Sequence, residues 1–91
     1  MSNAYLKQYH RERYGGRCML CQRSLQKKKQ SLHHRIPKKN GGENTKENTT
    51  ITCMECQNII HHFEYGTEAY SVLDNMISKN LKKYDRYKLR K

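Results

Sequence analysis

Apolar residues in the last third of the chain recur at Ala69, Val72, Leu73, Met76, Ile77, Leu81 and Tyr84. Steps of one, three and four residues keep them on one side of a helix, so a long amphipathic helix is expected after Gly66, its stripe packed against the rest of the chain. Near the start, Tyr5, Leu6 and Tyr9 form a shorter stripe that Gly15-Gly16 stops, which predicts a first helix over about residues 4–13. The middle of the chain has a different texture. Residues 22–30 are polar and basic and read as a turn and a loop. Ser31 to Ile36 reads as a strand ended by Pro37, and Thr49-Thr50-Ile51-Thr52, with every side chain β-branched, reads as the returning strand. Lys38 to Asn48 is rich in Lys, Asn and Gly, the composition of a loop. A short helix is expected from Cys56 to Glu64, broken by Gly66.

Composition changes this picture by asking what holds it together. The chain has 91 residues, only 34% of them hydrophobic, with no Trp and one Phe. That is enough for one domain spanning residues 1–91 and too little apolar surface for a self-sufficient core, so a staple is expected. Four cysteines can form two disulfides or one metal site. They fall into two pairs, Cys18-Met-Leu-Cys21 and Cys53-Met-Glu-Cys56. Two C-x-x-C turns can close a tetrahedral four-thiolate shell around one ion, and zinc is the expected occupant. No apolar leader follows the N-terminus and no stretch approaches the roughly 20 apolar residues of a membrane span. The expectation is therefore a cytoplasmic chain, where disulfides are rare, and no membrane partner.

Charge adds a partner. Lys and Arg number 19 against 8 acidic residues, a formal net charge of +11. So basic a small domain suits a polyanion, most simply nucleic acid. Lys38 and Lys39 enter the glycine loop, and Lys82, Lys83 and Arg86 lie in a basic C-terminal tail read as an arm for the phosphate backbone.

The 31 residues between the cysteine pairs exceed ordinary zinc-ribbon spacing, so they must form a subdomain of strand, loop and strand. His33 and His34 sit on its first strand, where neighbours point to opposite faces. Asn48 stands where the loop ends. Gln57 and His61, four residues apart, share one face of the helix after the second pair. A strand histidine facing such a helix pair can build a divalent metal site, beside which the other histidine can activate a water.

These residues resemble the HNH endonucleases of the ββα-metal class. The matching run is Leu32-His33-His34-Arg35-Ile36-Pro37, then Gly41-Gly42, Asn48, Cys53-x-x-Cys56 and His61, which with the first cysteine pair spans about residues 18–62. The resemblance implies an α+β fold, a small zinc-stapled ββα-metal domain with an N-terminal helix and a long C-terminal helix over 67–91. It implies His34 as the general base and His33 as a ligand of the catalytic ion. It implies Asn48 as the asparagine that holds the loop and helps orient the base, and His61 as a helix ligand of the metal or its phosphate. Gln57 occupies the ligand position where the family usually has His or Asn. An imidazole titrating near 6.5 suits a general base at neutral pH.

The function so implied is metal-dependent hydrolysis of phosphodiester bonds in DNA, leaving 5′-phosphate and 3′-hydroxyl ends, with Mg²⁺, Mn²⁺, Ni²⁺ or Zn²⁺ as the catalytic ion. Small members are common in phages, so a bacterial or phage-infected cell is the expected setting. The alternative on the same fold is a zinc-stabilised module that binds DNA or RNA without cutting it, the reading that Gln57 favours. A protein-interaction module using the C-terminal helix is a third. The chain carries no signal for an oligomeric state.

Overall fold

A computed structural model describes the backbone of residues 1–89 and the side chains of residues 1–85. The elements in chain order are α1 (Asn3–Tyr14), β1 (Gln30–His34), β2 (Thr49–Cys53), α2 (Met54–His61) and α3 (Glu68–Leu89), with single 3₁₀ turns at Lys27–Lys29 and Lys38–Asn40.

Local chemistry sets most boundaries. The Ser2 hydroxyl accepts from the Tyr5 backbone N–H at the start of α1, and Gly15 at φ 74° ends it in the left-handed conformation. At Cys53 the thiol sulfur accepts from the Cys56 N–H, so the cysteine itself caps α2. That cap starts the helix at Met54, before the expected Cys56. The chain tightens at the other end, where Phe63 N–H reaches back to Ile60 O, and the helix stops at His61 before the expected Glu64.

β1 and β2 pair antiparallel in the register Gln30↔Cys53 through His34↔Thr49. One further bond, Arg35 N–H to Asn48 O at 2.8 Å, extends the ladder. The strand ends before the expected Ile36 because the Asn48 side chain takes over the Ile36 backbone groups. β2 is buried throughout, with α1 and α2 both packed on the sheet, which accounts for its unbroken run of β-branched residues.

α3 crosses the whole assembly. Its inward line runs through Tyr70, Leu73, Ile77, Leu81 and Tyr84. This corrects the expected stripe, since Val72 and Met76 are 54% and 45% exposed and Ala69 is exposed too. At 3.6 residues per turn Val72 points about 140° and Met76 about 100° away from Ile77. Tyr70, whose ring is buried and whose hydroxyl donates to Arg35 O at 2.7 Å, takes the inward place instead.

The core gathers Cys18, Cys53 and Cys56 with Met19, Leu20, Ile60, Tyr70 and Ile77. α3 also grips the first cysteine turn by polar bonds. Asn80 donates to Met19 O at 2.7 Å and accepts from the Gln22 amide at 2.8 Å. Gln22 needs that support, being the one non-glycine described residue with a positive φ, 65°.

Candidate metal centre and active site

The two C-x-x-C turns approach from opposite ends of the middle segment and meet. The four sulfurs of Cys18, Cys21, Cys53 and Cys56 all lie within 4.8 Å of one another, and none is in a disulfide. Cys21 Sγ and Cys53 Sγ are 4.0 Å apart. A tetrahedral ion with metal–sulfur bonds near 2.3 Å sets sulfur atoms roughly 3.8 Å apart, so the donor set fits. Backbone N–H groups of Cys21 and Cys56 point at Cys18 Sγ and Cys53 Sγ, at 3.5 and 3.4 Å, and the Arg23 guanidinium lies 3.7 Å from Cys53 Sγ. Such donors stabilise thiolate charge and fix the ligands' orientation. The four cysteines are positioned to form a metal site.

A cleft of about 530 Å³ opens between the end of β1, the turn beyond Pro37 and α2. Its walls carry His33 and His34 from β1, Lys38 and Lys39 from the turn beyond Pro37, Gln57 and His61 from α2, and the rings of Phe63, Tyr65 and Tyr70. His33 is only 2% exposed. Burial pushes its imidazole down to about 4, while Asp74 and the Gln57 side chain favour the charged form and His61 and His34 oppose it. His33 is therefore a neutral imidazole at neutral pH, the form that can donate a lone pair to a cation. The Gln57 carbonyl oxygen accepts from the buried Thr52 hydroxyl at 3.1 Å, which uses one of its two lone pairs.

The glycine loop is built around Asn48. Its Oδ1 accepts from Ile36 N–H at 2.9 Å, and its Nδ2 donates to Ile36 O and Glu43 O at 3.1 and 2.9 Å. Gly42 packs against the same point: a Cβ there would lie 1.7 Å from Ile36 O. His34 bonds not to Asn48 but to Asn44, through Nε2 and Oδ1 at 2.5 Å. Nothing in the sequence marks Asn44, because its partners His34, Met1 and Asn3 are 10, 43 and 41 residues away along the chain.

The other basic positions go elsewhere. Lys82 borders a separate recess with His10, Arg13, Arg35 and Lys46, and Lys83 is exposed on α3. The Arg86 side chain lies outside the described residues. His62 is exposed and lines no part of the histidine cleft.

A strand pair followed by a helix, with four cysteines positioned to form a metal site and a cleft lined by histidines, defines a class: a small ββα domain with a four-cysteine site. The HNH endonuclease family model matches residues 18–63, and the chain belongs to that family. No curated protein matches the chain. No helix among the described residues is long and apolar enough to cross a membrane.

Proposed function

We propose that this chain is a metal-dependent endonuclease that hydrolyses phosphodiester bonds in DNA, with His34 as the general base. The observation that carries this reading is the shared cleft, which His34 lines together with His33, Gln57, His61 and two exposed lysines, Lys38 and Lys39. Cys18, Cys21, Cys53 and Cys56 would hold a structural zinc, which would tie the first cysteine turn to the end of β2 and the start of α2.

Within the cleft each residue has a distinct task. His34 takes a proton from the attacking water. Lys38 and Lys39 draw the phosphate backbone toward it by charge. His33, Gln57 and His61 would hold a divalent ion, Mg²⁺, Mn²⁺, Ni²⁺ or Zn²⁺. When bound, such an ion offsets charge on the scissile phosphate and on the leaving oxygen. Asn48 keeps the loop closed behind the base. Lys82 and Lys83 add positive charge on the C-terminal helix, and Arg86 follows them in the sequence as a further contact for the phosphate backbone.

A second reading has its own observation. Gln57 replaces the usual His or Asn, and its carbonyl already accepts from Thr52. A site weakened there leaves a basic, zinc-stabilised module that binds nucleic acid without cleaving it.

Plasmid cleavage with each ion added separately, against an EDTA control, tests both. For the enzyme, His34→Ala is expected to lower the rate by about 10²–10⁴-fold with metal content and DNA affinity preserved. An equal rate in His34→Ala excludes His34 as the base. Inert wild type with a Gln57→His variant that cleaves establishes the binding module.

A further inference from the structure

We propose that Asn44 is a positioning residue for His34, locking the imidazole as the Nε2–H tautomer so that Nδ1 is the nitrogen free to accept a proton. The inference rests on the reading of His34 as the base and deepens it.

The orientation of the Asn44 amide is decided by its other partners. Its Nδ2 lies 3.0 Å from the Met1 backbone carbonyl oxygen and 2.8 Å from Asn3 Oδ1. A backbone carbonyl only accepts, so the atom facing it must be the NH₂ group, and both amide hydrogens are then spent on the start of α1. The remaining atom, Oδ1, faces His34 Nε2. An amide oxygen can only accept, so Nε2 must carry the hydrogen. In a neutral imidazole that leaves the lone pair on Nδ1.

The arrangement also restrains the ring. His34 is half-buried at the end of β1, where the ladder gives way to the glycine loop. Asn44 ties that ring to residues 1 and 3, distant in sequence, so the ring cannot turn without breaking the link. Asn48 holds the loop that carries Asn44 through its bond to Glu43 O, one residue away. The two asparagines thus divide the work: Asn48 shapes the loop and Asn44 sets the base.

Two measurements on the full chain test this. The first is a long-range ¹⁵N–¹H correlation spectrum of the histidine rings. Native protein is expected to show His34 as a single Nε2–H tautomer with an observable ring proton. That proton is expected to vanish into water exchange in Asn44→Ala and to persist in Asn44→Asp, which keeps an acceptor. The second is cleavage kinetics. Asn44→Ala is expected to lower kcat about tenfold to a hundredfold, with KM for DNA and bound zinc unchanged, and Asn44→Asp, which keeps the acceptor toward Nε2 but loses the donors to Met1 O and Asn3 Oδ1, is expected to recover part of the loss. A native spectrum with no such proton, or one unaltered by Asn44→Ala, overturns the proposal even if the chain cleaves DNA. Native kcat in Asn44→Ala also overturns it. Inert wild type with the expected spectra supports the ring anchor and overturns its catalytic purpose together with the enzyme reading.

Discussion

Arg35 grips Asp74 with two hydrogen bonds, Nε to Oδ1 at 2.8 Å and Nη2 to Oδ2 at 3.1 Å. Arg35 directly follows the two histidines of β1, and Asp74 lies one turn beyond Tyr70 on α3, whose hydroxyl donates to Arg35 O. Three bonds therefore fasten the long helix to the residue that follows the histidine strand. The same carboxylate favours the charged form of His33 against the burial that opposes it. One acidic residue on a helix far along the chain thus both braces the histidine strand and tempers its electrostatics.

Breaking that clasp should cost stability without dismantling the cysteine site. The two side chains are 24% and 29% exposed, so the pair lies between a surface bridge and a buried one. Asp74→Ala is expected to destabilise the protein by about 1 kcal/mol. A double-mutant cycle with Arg35→Ala in urea denaturation isolates the coupling, and a coupling near zero would show that the pair does no net work.

The glycine loop offers a sharper contrast. Gly41 has φ 88° and open space where a Cβ would sit, so Gly41→Ala meets backbone strain alone, about 1 kcal/mol. A Cβ on Gly42 would collide with Ile36 O, which is backbone and is itself bonded to Asn48. Gly42→Ala is expected to be the worse substitution, by about 1–3 kcal/mol, and to loosen the loop. Thermal melts of the two variants give the order directly, and the reverse order is incompatible with this loop geometry.

Removal of the metal should unfold much of the domain. Three of the four cysteines, Cys18, Cys53 and Cys56, belong to the core cluster, and so small and polar a chain has little else to replace them. Native mass spectrometry is expected to find one zinc per chain, and a strong chelator is expected to abolish cooperative unfolding. A metal-free protein with an undiminished melting transition would contradict this.

His10 gives the protein a dependence on pH separate from the cleft. Its ring is buried beside Tyr9 and Tyr14, and its Nε2 lies 2.9 Å from Thr49 Oγ1. That hydroxyl already donates to Thr45 O, so Nε2 is the donor to it, while Nδ1 has no partner among the described residues. Burial, and then the nearby Arg13 charge, push His10 down to about 4. The folded value lies below the unfolded value near 6.5, so protons bind the unfolded chain more readily. The stability this group contributes is present above about 6.5 and is lost as pH falls toward 4. Between pH 7.5 and 5.5 the loss is expected to be about 1 kcal/mol, and His10→Phe should remove that increment. Identical pH slopes for the two proteins would rule it out, since effects on the metal site are common to both.

Much of this architecture is legible along the chain because it rests on local rules. Gly15 ends α1, the β-branched run makes β2, and the paired C-x-x-C turns announce a common metal site; each depends on neighbours only a few residues away. The family, too, follows from order and spacing between Cys18 and Phe63. Other features depend on which groups meet in space. Val72 and Met76 are as apolar as their neighbours on α3, but the face that the core covers is centred on Ile77, and it takes in Tyr70, about 20° away, and leaves those two exposed. Asp74 and Asn80 carry no mark in the sequence of the arginine and the cysteine turn that they hold. Asn44 and Asn48 are the same amide four residues apart. The place of Asn48 in the HNH pattern already marks it as the residue that holds the loop, whereas only long-range closure decides that Asn44, held by the start of α1, presents its carbonyl to His34.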